Sequence, residues 1–416
     1  MTWGRVMRGT STLRIAWRNL WRSKRRTVLA LSAIALSVTL VLTYDAILRA
    51  YGDWVLEAIT GPMLGHVQVH APAWRKDRAM DRTLPHVSRT VEALRREPEV
   101  TGAGARLYAP ALAALAQEGF AVVVLGVDPA AESGPQRLLS GAKIPPRGRQ
   151  VLMGRPLAEV MGAREGDEIA LVGQGADGSL ANDLYRIAAL IETPVDLVNR
   201  QGIIMELGEA QTLFAMPDEA HEIVVHARDP ARLKETADAV RRAPGLEGAE
   251  VLDWQALAPE MVNIIQLLRV AGVFALVLVF IAAAAGVANT MLMATFERTH
   301  EFGMLLALGT GPGRIIRMIV TESIVLGVIG AFAGAALGVG LVALTHERGI
   351  DFAALTGRGP SELSFAGLRW SLRFYPSLAP ADVLQVVGAV IVTSLVASVW
   401  PAIRAARLQP AQALRE

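Results

Sequence analysis

Several histidines in the stretch 49–262 are of a type and spacing that could serve metal chemistry. One segment, HEIVVH (221–226), approximates a zinc-protease signature, but its histidines lie five positions apart and would diverge by about 140° on a helix. The segment also has the composition of a strand. His66 and His70 would share one face of a strand, but roughly 13 Å apart at about 3.3 Å per residue. We therefore predict no metal site at these histidines.

One glycine-rich segment could contact a phosphate. The sequence GQGADG (173–178) matches G-x-G-x-x-G and follows a predicted strand, but another predicted strand, YRIAALIE (185–192), comes after it. No helix amino terminus is then available for a pyrophosphate, and a hairpin turn is the better interpretation. The sequence contains no G-x4-G-K-[ST], no G-x-S-x-G and no cysteine. We predict that the chain is not an enzyme and has no cofactor of its own.

The segment 296–323, FERTHEFGMLLALGTGPGRIIRMIVTES, combines charges with an apolar stripe between two long apolar runs. From Thr295 to Leu308 the pattern predicts a helix, with Phe302, Leu305, Leu306 and Gly309 on one side. GTGPG (309–313) should end that helix. On the residues alone, two interpretations stay open: a helix that receives a push from a soluble partner, or a solvated turn between two membrane spans.

The composition points to a membrane protein, with 52% hydrophobic residues, 19% charged residues and a mean hydropathy of +0.36. Four stretches are long enough and free enough of charge to cross a bilayer, for which a helix needs about 20 residues. We predict transmembrane helices at 27–48, 263–294, 314–345 and 383–403. The first apolar stretch is too long for a cleaved signal peptide and is interpreted as an uncleaved signal anchor.

Small residues recur four positions apart in three of these spans. They are Ala282 and Gly286 in the second, Gly330, Gly334 and Gly338 in the third, and Ser394 and Ser398 in the fourth. Such positions let helix backbones approach closely, so ordinary bundle packing is expected. Glu322 lies at one mouth of the third span, where we expect it to pair with a basic group such as Arg317.

The distribution of basic residues sets the expected orientation. Residues 1–26 contain eight Lys and Arg residues and no acid, and they lead directly into the first span. This is typical of a basic amphipathic helix at the cytoplasmic membrane surface, with lipid and not nucleic acid as its partner. Four spans then place both termini, including the tail 404–416, and the segment 295–313 in the cytoplasm. The stretches 49–262 and 346–382 should face the periplasm of a bacterial inner membrane.

Short alternating runs predict an α/β domain over 49–262. GHVQVH (65–70) and EIVVHA (222–227) are each followed by an amphipathic helix and a second strand, GARLYAP or AEVLDW. Between these two units lies a strand-rich block. The predicted fold is therefore membrane α-helical with four spans, plus an extracytoplasmic α/β domain with a discontinuous α/β lobe and an inserted β-rich lobe.

Four motifs occur in the order found in one family. The segment 297–309 resembles E-R-x-x-E-[IF]-G-[IM]-L-x-A-[LI]-G, a signature of the FtsX-like/MacB-like permeases of ABC transporters. LRIAWRNLWRSKRRT (13–27) is similar to the helix before their first span, and VLMGRPLAEVMGAREGDEIAL (151–171) to a motif of their periplasmic domain. PAIRAARLQPAQALRE (401–416) resembles their carboxyl terminus.

The resemblance implies a mechanism in which two permease subunits, identical or paralogous, pair with a dimer of separate ATPase subunits that bind ATP and Mg. Nucleotide-driven closure of the ATPases would move the cytoplasmic coupling helix, and helical extensions around 46–60 and 255–269 would carry the motion outward. The residues that the resemblance assigns to the ATPase-docking coupling helix are Glu297, Arg298, Glu301, Phe302, Gly303, Leu305, Leu308 and Gly309. A periplasmic or outer-membrane partner is also compatible with the resemblance.

Within the family, the lipoprotein-releasing permeases are the most similar type, because they lack a fused ATPase and have a comparable loop before the fourth span, FYPSLAPADV (374–383). Lipoprotein release is therefore the expected function. Two alternatives stay open: an efflux permease of the macrolide-exporter type, and a non-transporting scaffold that controls a periplasmic enzyme. The insertion at 347–374 leaves the substrate undetermined.

Overall fold

The computed structural model describes residues 17–18, 21–134, 137–142, 146–351, 364–365, 368–369 and 373–407. Most of the predicted basic helix at 1–26, the end of the tail 404–416 and most of the insertion at 347–374 lie outside these described residues.

Long helices account for the predicted spans, and the shorter ones, apart from Thr299–Ala307, belong to the α/β part of the chain. In chain order the helices are α1 (Lys24–Ile59), α2 (Trp74–Asp77), α3 (Val87–Arg95), α4 (Pro129–Glu132), α5 (Arg155–Met161), α6 (Asp196–Gln201), α7 (Leu207–Leu213), α8 (Leu233–Arg242), α9 (Trp254–Leu257), α10 (Pro259–Glu297), α11 (Thr299–Ala307), α12 (Pro312–Arg348) and α13 (Pro380–Ala406). A π-helical turn, Thr60–Leu64, follows α1 directly.

The strands lie mainly between α1 and α10. They are β1 (Val67–His70), β2 (Leu84–Pro85), β3 (Val100–Leu115), β4 (Glu118–Val127), β5 (Gln150–Gly154), β6 (Glu168–Gln174), β7 (Leu180–Ile191), β8 (Gly202–Glu206), β9 (Glu219–Ala220), β10 (Glu222–Ala227), β11 (Glu250–Asp253), β12 (Ile350–Asp351), β13 (Ser364–Phe365), β14 (Leu368–Arg369) and β15 (Arg373–Phe374).

The chain forms two compact units. The membrane unit comprises Met1–Gly52, Ile265–Asp351 and Arg373–Glu416, and the α/β unit comprises Asp53–Ile264 and Phe352–Leu372. The helices α1, α10, α12 and α13 are each long and apolar enough to cross a membrane. They contain the four predicted spans. The helix α1 continues past the predicted end at residue 48 to Ile59, whereas α10 begins at Pro259, shortly before the predicted start of its span at residue 263.

The membrane unit is held together by close contacts between small residues. Gly334 of α12 lies so near α1 that a Cβ there would be 2.5 Å from the carbonyl oxygen of Ala35. The hydroxyl of Thr39 donates to the carbonyl oxygen of Gly334 at 3.1 Å across the same interface. Neighbouring turns repeat the contact, with Gly330 against Ile34 and Gly338 against Leu42. The glycine face of the third span thus packs against the first span, as the sequence predicts.

The third and fourth spans pack in the same way, whereas the second does not. The hydroxyl of Ser323 on α12 donates to the carbonyl oxygen of Ser394 on α13 at 3.1 Å, and Ser398 is also buried. In contrast, only 6% of the apolar window of α10 is buried within the chain. Gly286 of α10 has open space around it, so the expected packing at Ala282 and Gly286 is not made within this chain.

The first half of the α/β unit is a four-stranded antiparallel sheet of order β11-β1-β10-β3. The helix α3 connects β1 to β3, and α8 connects β10 to β11. Two β-α-β units in this order give a ferredoxin-like lobe. It contains both strand–helix–strand units that the sequence predicts, brought together from the two ends of the domain.

The second half is a closed barrel built on the same sheet. Past Arg106, β3 pairs with β4 from Arg106↔Val127 to Leu115↔Glu118 and also with β6 at residues 111–114. The circuit β3-β4-β8-β5-β7-β6 then returns to β3, so each of these six strands is paired on both sides. Its interior is apolar, with fully buried side chains that include Leu107, Val124, Met153, Ile169, Ile187, Ile203 and Phe214.

The structure confirms the two lobes but joins them through one strand. The sequence predicts only GARLYAP as a strand in this region, whereas β3 runs over 16 residues and belongs to both lobes. Its Gly- and Ala-rich composition has low intrinsic strand propensity, so the pairing partners decide its length. The predicted hairpin at GQGADG is confirmed: β6 and β7 are antiparallel, and Gly178 adopts a φ of +82° in the turn.

Candidate functional site

The connection between the second and third spans is where the sequence places the candidate site, and it begins with a sharp break. The helix α10 ends at Glu297, and Arg298 leaves helical geometry with φ −112° and ψ 16°. The hydroxyl of Thr299 donates to the carbonyl oxygen of Phe296 at 2.8 Å, which satisfies one free carbonyl at the helix end. The single helix expected over 295–308 is therefore wrong. Glu297 belongs to the span helix, and the short helix α11 begins at Thr299.

The end of α11 follows the prediction at Gly309. Its φ of +84° is a left-handed conformation that glycine adopts without a steric penalty. The amide of Thr310 donates to the carbonyl of Leu305 at 2.9 Å, and the amide of Gly309 to that of Leu306 at 3.0 Å. These two bonds form a Schellman motif. Pro312 then occupies the first turn of α12, where its missing N–H costs nothing.

The charged residues of this connection form a network within the membrane unit. Arg298 donates to Glu301 at 3.2 Å and to Glu322 of α12 at 3.1 Å. Glu297 and Glu301 receive hydrogen bonds from the basic segment before the first span, the former from Arg26 and the latter from Arg22. Glu322 thus pairs with Arg298, and the expected pairing with Arg317 is not made because the break at Arg298 turns its side chain towards α12.

The members of this network differ in how much they contribute to stability. Glu322 is 5% exposed, so loss of its cation would leave an uncompensated buried carboxylate, at a cost of about 3–5 kcal/mol. The pair between Arg22 and Glu301 is solvated and is worth at most about 1 kcal/mol. Partial burial opposes ionisation of Glu301, but hydrogen bonds from Arg22 and Arg298 lower the pKa of its carboxyl below the usual value.

One face of α11 is buried against the helix bundle. Phe302 is 1% exposed and belongs to a cluster with Ile315, Ile319, Ala402 and Ala405, with Leu305 packed against it. The guanidinium of Arg298 lies 5.2 Å from the centre of the Phe302 ring. Gly303 is buried as well. This face holds α11 to α12 and α13, so Phe302 and Gly303 are not available to a docking protein.

The opposite face of α11 is exposed and largely apolar. Leu308 is 82% exposed and Met304 46% exposed. His300 and Ala307 are exposed beside them, and the four positions share one helical face. An apolar group that projects from a short helix between two spans has the character of a protein contact surface. We call His300, Met304, Ala307 and Leu308 the exposed face of α11.

The eight predicted docking residues are thus divided by the structure. Leu308 and Gly309 are exposed at the end of α11, whereas Arg298, Phe302 and Gly303 point into the membrane unit. Glu297, Glu301 and Leu305 lie at the edges, and the two carboxylates are paired with arginines. Sequence reasoning missed Met304, Ala307 and His300. Counting back from Leu308 by four and eight residues would have found Met304 and His300.

In the α/β unit, sequence reasoning also missed a buried charged cluster. Arg106 is fully buried and donates to both carboxylate oxygens of Glu132, at 2.7 and 2.9 Å. It also lies 3.6 Å from Glu222, which accepts a hydrogen bond from the Tyr108 hydroxyl. Burial opposes the charge on Arg106, but Glu132 raises the pKa of its guanidinium above the ordinary value. Burial together with Glu222 raises the pKa of Tyr108.

Arg106 links the turn after the first helix to the sheet by hydrogen bonds. Its remaining donors bond to the carbonyl oxygens of Met63 at 2.7 Å and Pro62 at 3.0 Å, in the π-helical turn after α1. The start of α10 is secured nearby, since the amide of Trp254 donates to the carbonyl of His66 and Arg75 donates to that of Leu257. The chain therefore enters and leaves the α/β unit at points that are bonded to the same lobe.

The histidines considered above as metal ligands have packing roles in the α/β unit. His70 and His221 both stack on the ring of the buried Trp74, with ring centres 5.3 and 5.5 Å away. The segment 222–227 is the strand β10, as predicted. Within the described residues, no group of three or more His, Cys, Asp or Glu side chains could hold a metal ion.

Comparison with known families accounts for most of the chain. The FtsX-like permease C-terminal family matches residues 273–410, which include α11 and its exposed face. The MacB-like periplasmic core domain family matches residues 27–243, which include most of α1, the barrel and all of the ferredoxin-like lobe except β11.

Individual relatives cover the chain to different extents. The lipoprotein-releasing system transmembrane protein LolE of Haemophilus influenzae is 26% identical over 83% of this chain and 84% of its own length. The corresponding protein LolC of Xylella fastidiosa (strain 9a5c) is 23% identical over 95% of this chain and 96% of its own length. The macrolide export ATP-binding/permease protein MacB of Nitrobacter winogradskyi is 29% identical over 51% of this chain and 30% of its own length.

Proposed function

This chain belongs to the FtsX-like/MacB-like permeases of ABC transporters, and from that premise we propose that it transmits the motion of a separate ATPase dimer across the bacterial inner membrane to its periplasmic α/β unit, for the release of lipoproteins. ATP and Mg are then bound by the partner ATPases. The chain itself supplies the docking helix, the spans and the moving domain.

The observation that carries the proposal is the exposed face of α11. Met304, Ala307 and Leu308 present apolar surface on a helix whose other side is fixed to the bundle through Phe302. A push on this face reaches α12 and α13 through the Phe302 cluster, and α12 also through the ion pair of Arg298 with Glu322. It reaches α10 through the short link at Arg298. The exposed face, and not the paired carboxylates, is therefore the proposed ATPase-docking surface.

Continuous helices favour transmission of that push. The helix α10 runs over 39 residues from Pro259 to Glu297, and α1 runs over 36 residues from Lys24 to Ile59. Each enters the α/β unit beside bonds that fix it to the ferredoxin-like lobe. A second permease subunit, identical or paralogous, would cover the apolar surface that α10 leaves open, since this helix is hardly buried within one chain.

The proposed orientation places both termini and α11 in the cytoplasm. The basic residues before the first span favour it, because Lys and Arg concentrate on the cytoplasmic side of inner-membrane proteins. In this orientation the exposed face of α11 is accessible to a cytoplasmic ATPase, and the α/β unit can act on a substrate in the periplasm or on a partner there.

Lipoprotein release is the preferred task because the relatives LolE and LolC match over 83% and 95% of this chain. Macrolide-type efflux is a second candidate, favoured by the match of the α/β unit to the MacB-like periplasmic core domain. The two tasks differ in their substrate: a lipid-modified protein leaves the membrane in the first case, and a small molecule leaves the cell in the second.

The test is to purify the tagged full-length chain in detergent and identify a copurifying ABC ATPase by mass spectrometry. We expect this complex to hydrolyse ATP and, with lipoprotein-loaded proteoliposomes, to release lipoprotein on addition of ATP. Leu308→Asp should abolish copurification of the ATPase. Leu197→Asp, at an exposed leucine of the α/β unit, is the matched control and should retain it.

Three results would count against the proposal in different ways. If no ABC ATPase copurifies, the transport function is wrong and a signalling scaffold becomes the better description. If ATP drives macrolide efflux but no lipoprotein release, only the substrate is wrong. If Leu308→Asp retains the ATPase as the unchanged chain does, the docking surface lies elsewhere.

A further inference from the structure

A groove of about 410 Å³ lies between α1 and α10 within the membrane unit. Its walls are mostly small or apolar, among them Ala33 and Ile34 of α1 and Ala282 and Gly286 of α10. This volume falls within the usual range of ligand pockets. Because both helices are spans, the groove opens to lipid rather than to water.

The groove exists because α10 has no side chain at Gly286 to fill it. A Cβ at this position would meet no atom within 4 Å, whereas the glycines of α12 lie in tight contact with α1. The small-residue positions of α10 therefore form a channel beside α1 instead of a helix–helix contact. In a bilayer, such an apolar channel is filled by a flexible chain of methylene groups.

One end of the groove is cationic. Arg26 is the one charged side chain among the described residues that line it. Lys24 and Arg25 are exposed beside it, and Arg22 lies four residues before it in the sequence. Arg26 already pairs with Glu297, but a guanidinium has five donors and can bind a second anion. Arg22 and Arg26 pair with Glu301 and Glu297, and Arg298 also pairs with Glu301. Lys24 and Arg25 are further exposed cations of this segment, so the surroundings of Arg26 favour an anion.

Exposed aromatic side chains indicate that the Arg26 end of the groove lies at the level of the lipid headgroups. Trp17 and Trp21 are 52% and 43% exposed and contact each other edge to face, with ring centres 6.0 Å apart. Exposed tryptophans next to a basic segment are typical of the interface between hydrocarbon and water. The cationic end of the groove is therefore at the depth of a phospholipid phosphate, and its apolar part is at the depth of the acyl chains.

We propose that the groove between α1 and α10 is a binding site for one anionic phospholipid of the leaflet that contains Arg26. Arg26 and the neighbouring cations contact the phosphate, and one acyl chain lies along Ala33, Ile34, Ala282 and Gly286. The lipid phosphate and Glu297 then share the same guanidinium, which connects the lipid to the end of α10. The site stands independently of the ATPase and of the substrate proposed above.

The experiment is native mass spectrometry of the full-length chain, delipidated and then titrated with phosphatidylglycerol or with phosphatidylcholine of identical acyl chains. We expect one phosphatidylglycerol to be retained in preference to phosphatidylcholine. Arg26→Gln should lower phosphatidylglycerol retention about fivefold, the effect of one basic residue at a membrane surface. Gly286→Leu should fill the groove and abolish retention of both lipids.

Gly340→Leu is the matched control, because this exposed glycine of α12 also has open space but does not line the groove. It should bind lipid as the unchanged chain does, and size-exclusion profiles of all variants verify that they fold. Equal retention of the two lipids, or full retention by Gly286→Leu, would overturn the proposal. So would a loss of chain dimers in Gly286→Leu without a change in lipid count, because a second copy would then occupy the groove.

Discussion

Truncation of Leu308 tests the proposed docking surface quantitatively. This side chain is 82% exposed on α11 and makes almost no contact within the chain, so Leu308→Ala should leave folding unchanged. Full burial of a leucine contributes about 1.5–3 kcal/mol, and alanine keeps only one of its four side-chain carbons. If the ATPase covers Leu308, its loss should cost about 1.5 kcal/mol, which is a roughly tenfold increase in Kd.

The assay is equilibrium binding of the purified ATPase to the full-length chain in nanodiscs, by biolayer interferometry. Leu197→Ala, at a leucine that is 58% exposed in the α/β unit, controls for a general effect of removing surface leucines. We expect an unchanged Kd for this control. A Kd for Leu308→Ala within twofold of the unchanged chain would refute the assignment of the exposed face of α11.

Three further predictions concern stability. Arg298→Leu should destabilise the membrane unit by about 3 kcal/mol in a detergent unfolding assay, and adding Glu322→Gln should restore most of that loss, because the buried carboxylate is then neutral. Arg106→Met should lower the midpoint of thermal unfolding of the α/β unit, measured by circular dichroism of the full-length chain, because it leaves Glu132 unpaired. Burial lowers the pKa of His66 to about 4 from 6.5, so its neutral ring stabilises the fold above pH 6.5 and that contribution is lost as the pH falls towards 4. His66→Asn should show a shallower decrease in melting temperature over this interval, and an identical decrease would exclude His66 as its source.

Local patterns in the sequence were sufficient for the spans and for most strands. The long apolar stretches at 27–48 and 314–345 indicate membrane helices, and the structure has helices there. The hairpin at 173–178 followed from two strands separated by a glycine-rich turn. These features depend on residues close together in the chain, which is why periodicity reveals them.

Contacts between distant residues could not be predicted in the same way. Arg106 lies in a strand of small residues, and its partner Glu132 comes from a short helix 26 positions later. Arg317 is nearer to Glu322 in the sequence than Arg298 is, but the break in the helix at Arg298 decides the pairing. Nothing in the local pattern of residues specifies either contact.

The exposed face of α11 could not be predicted from the sequence, because apolar residues occur on both sides of this helix. Apolar residues surround most of this helix, with Phe302 and Leu305 on the inner side and Met304 and Leu308 on the outer side. A helix that packs against membrane spans and also binds a partner needs two apolar faces, so its pattern shows little amphipathic contrast. Only the packing of Phe302 among α12 and α13 reveals which side remains free.

Site-directed labelling at Leu308 examines the central claim most directly, since the chain contains no cysteine. A Leu308→Cys variant would be treated with a membrane-impermeant maleimide in spheroplasts and in inverted inner-membrane vesicles. We expect labelling only in the inverted vesicles, and protection once the purified ATPase is added. Labelling in intact spheroplasts would place α11 on the periplasmic side, and no cytoplasmic ATPase could then drive this permease through it.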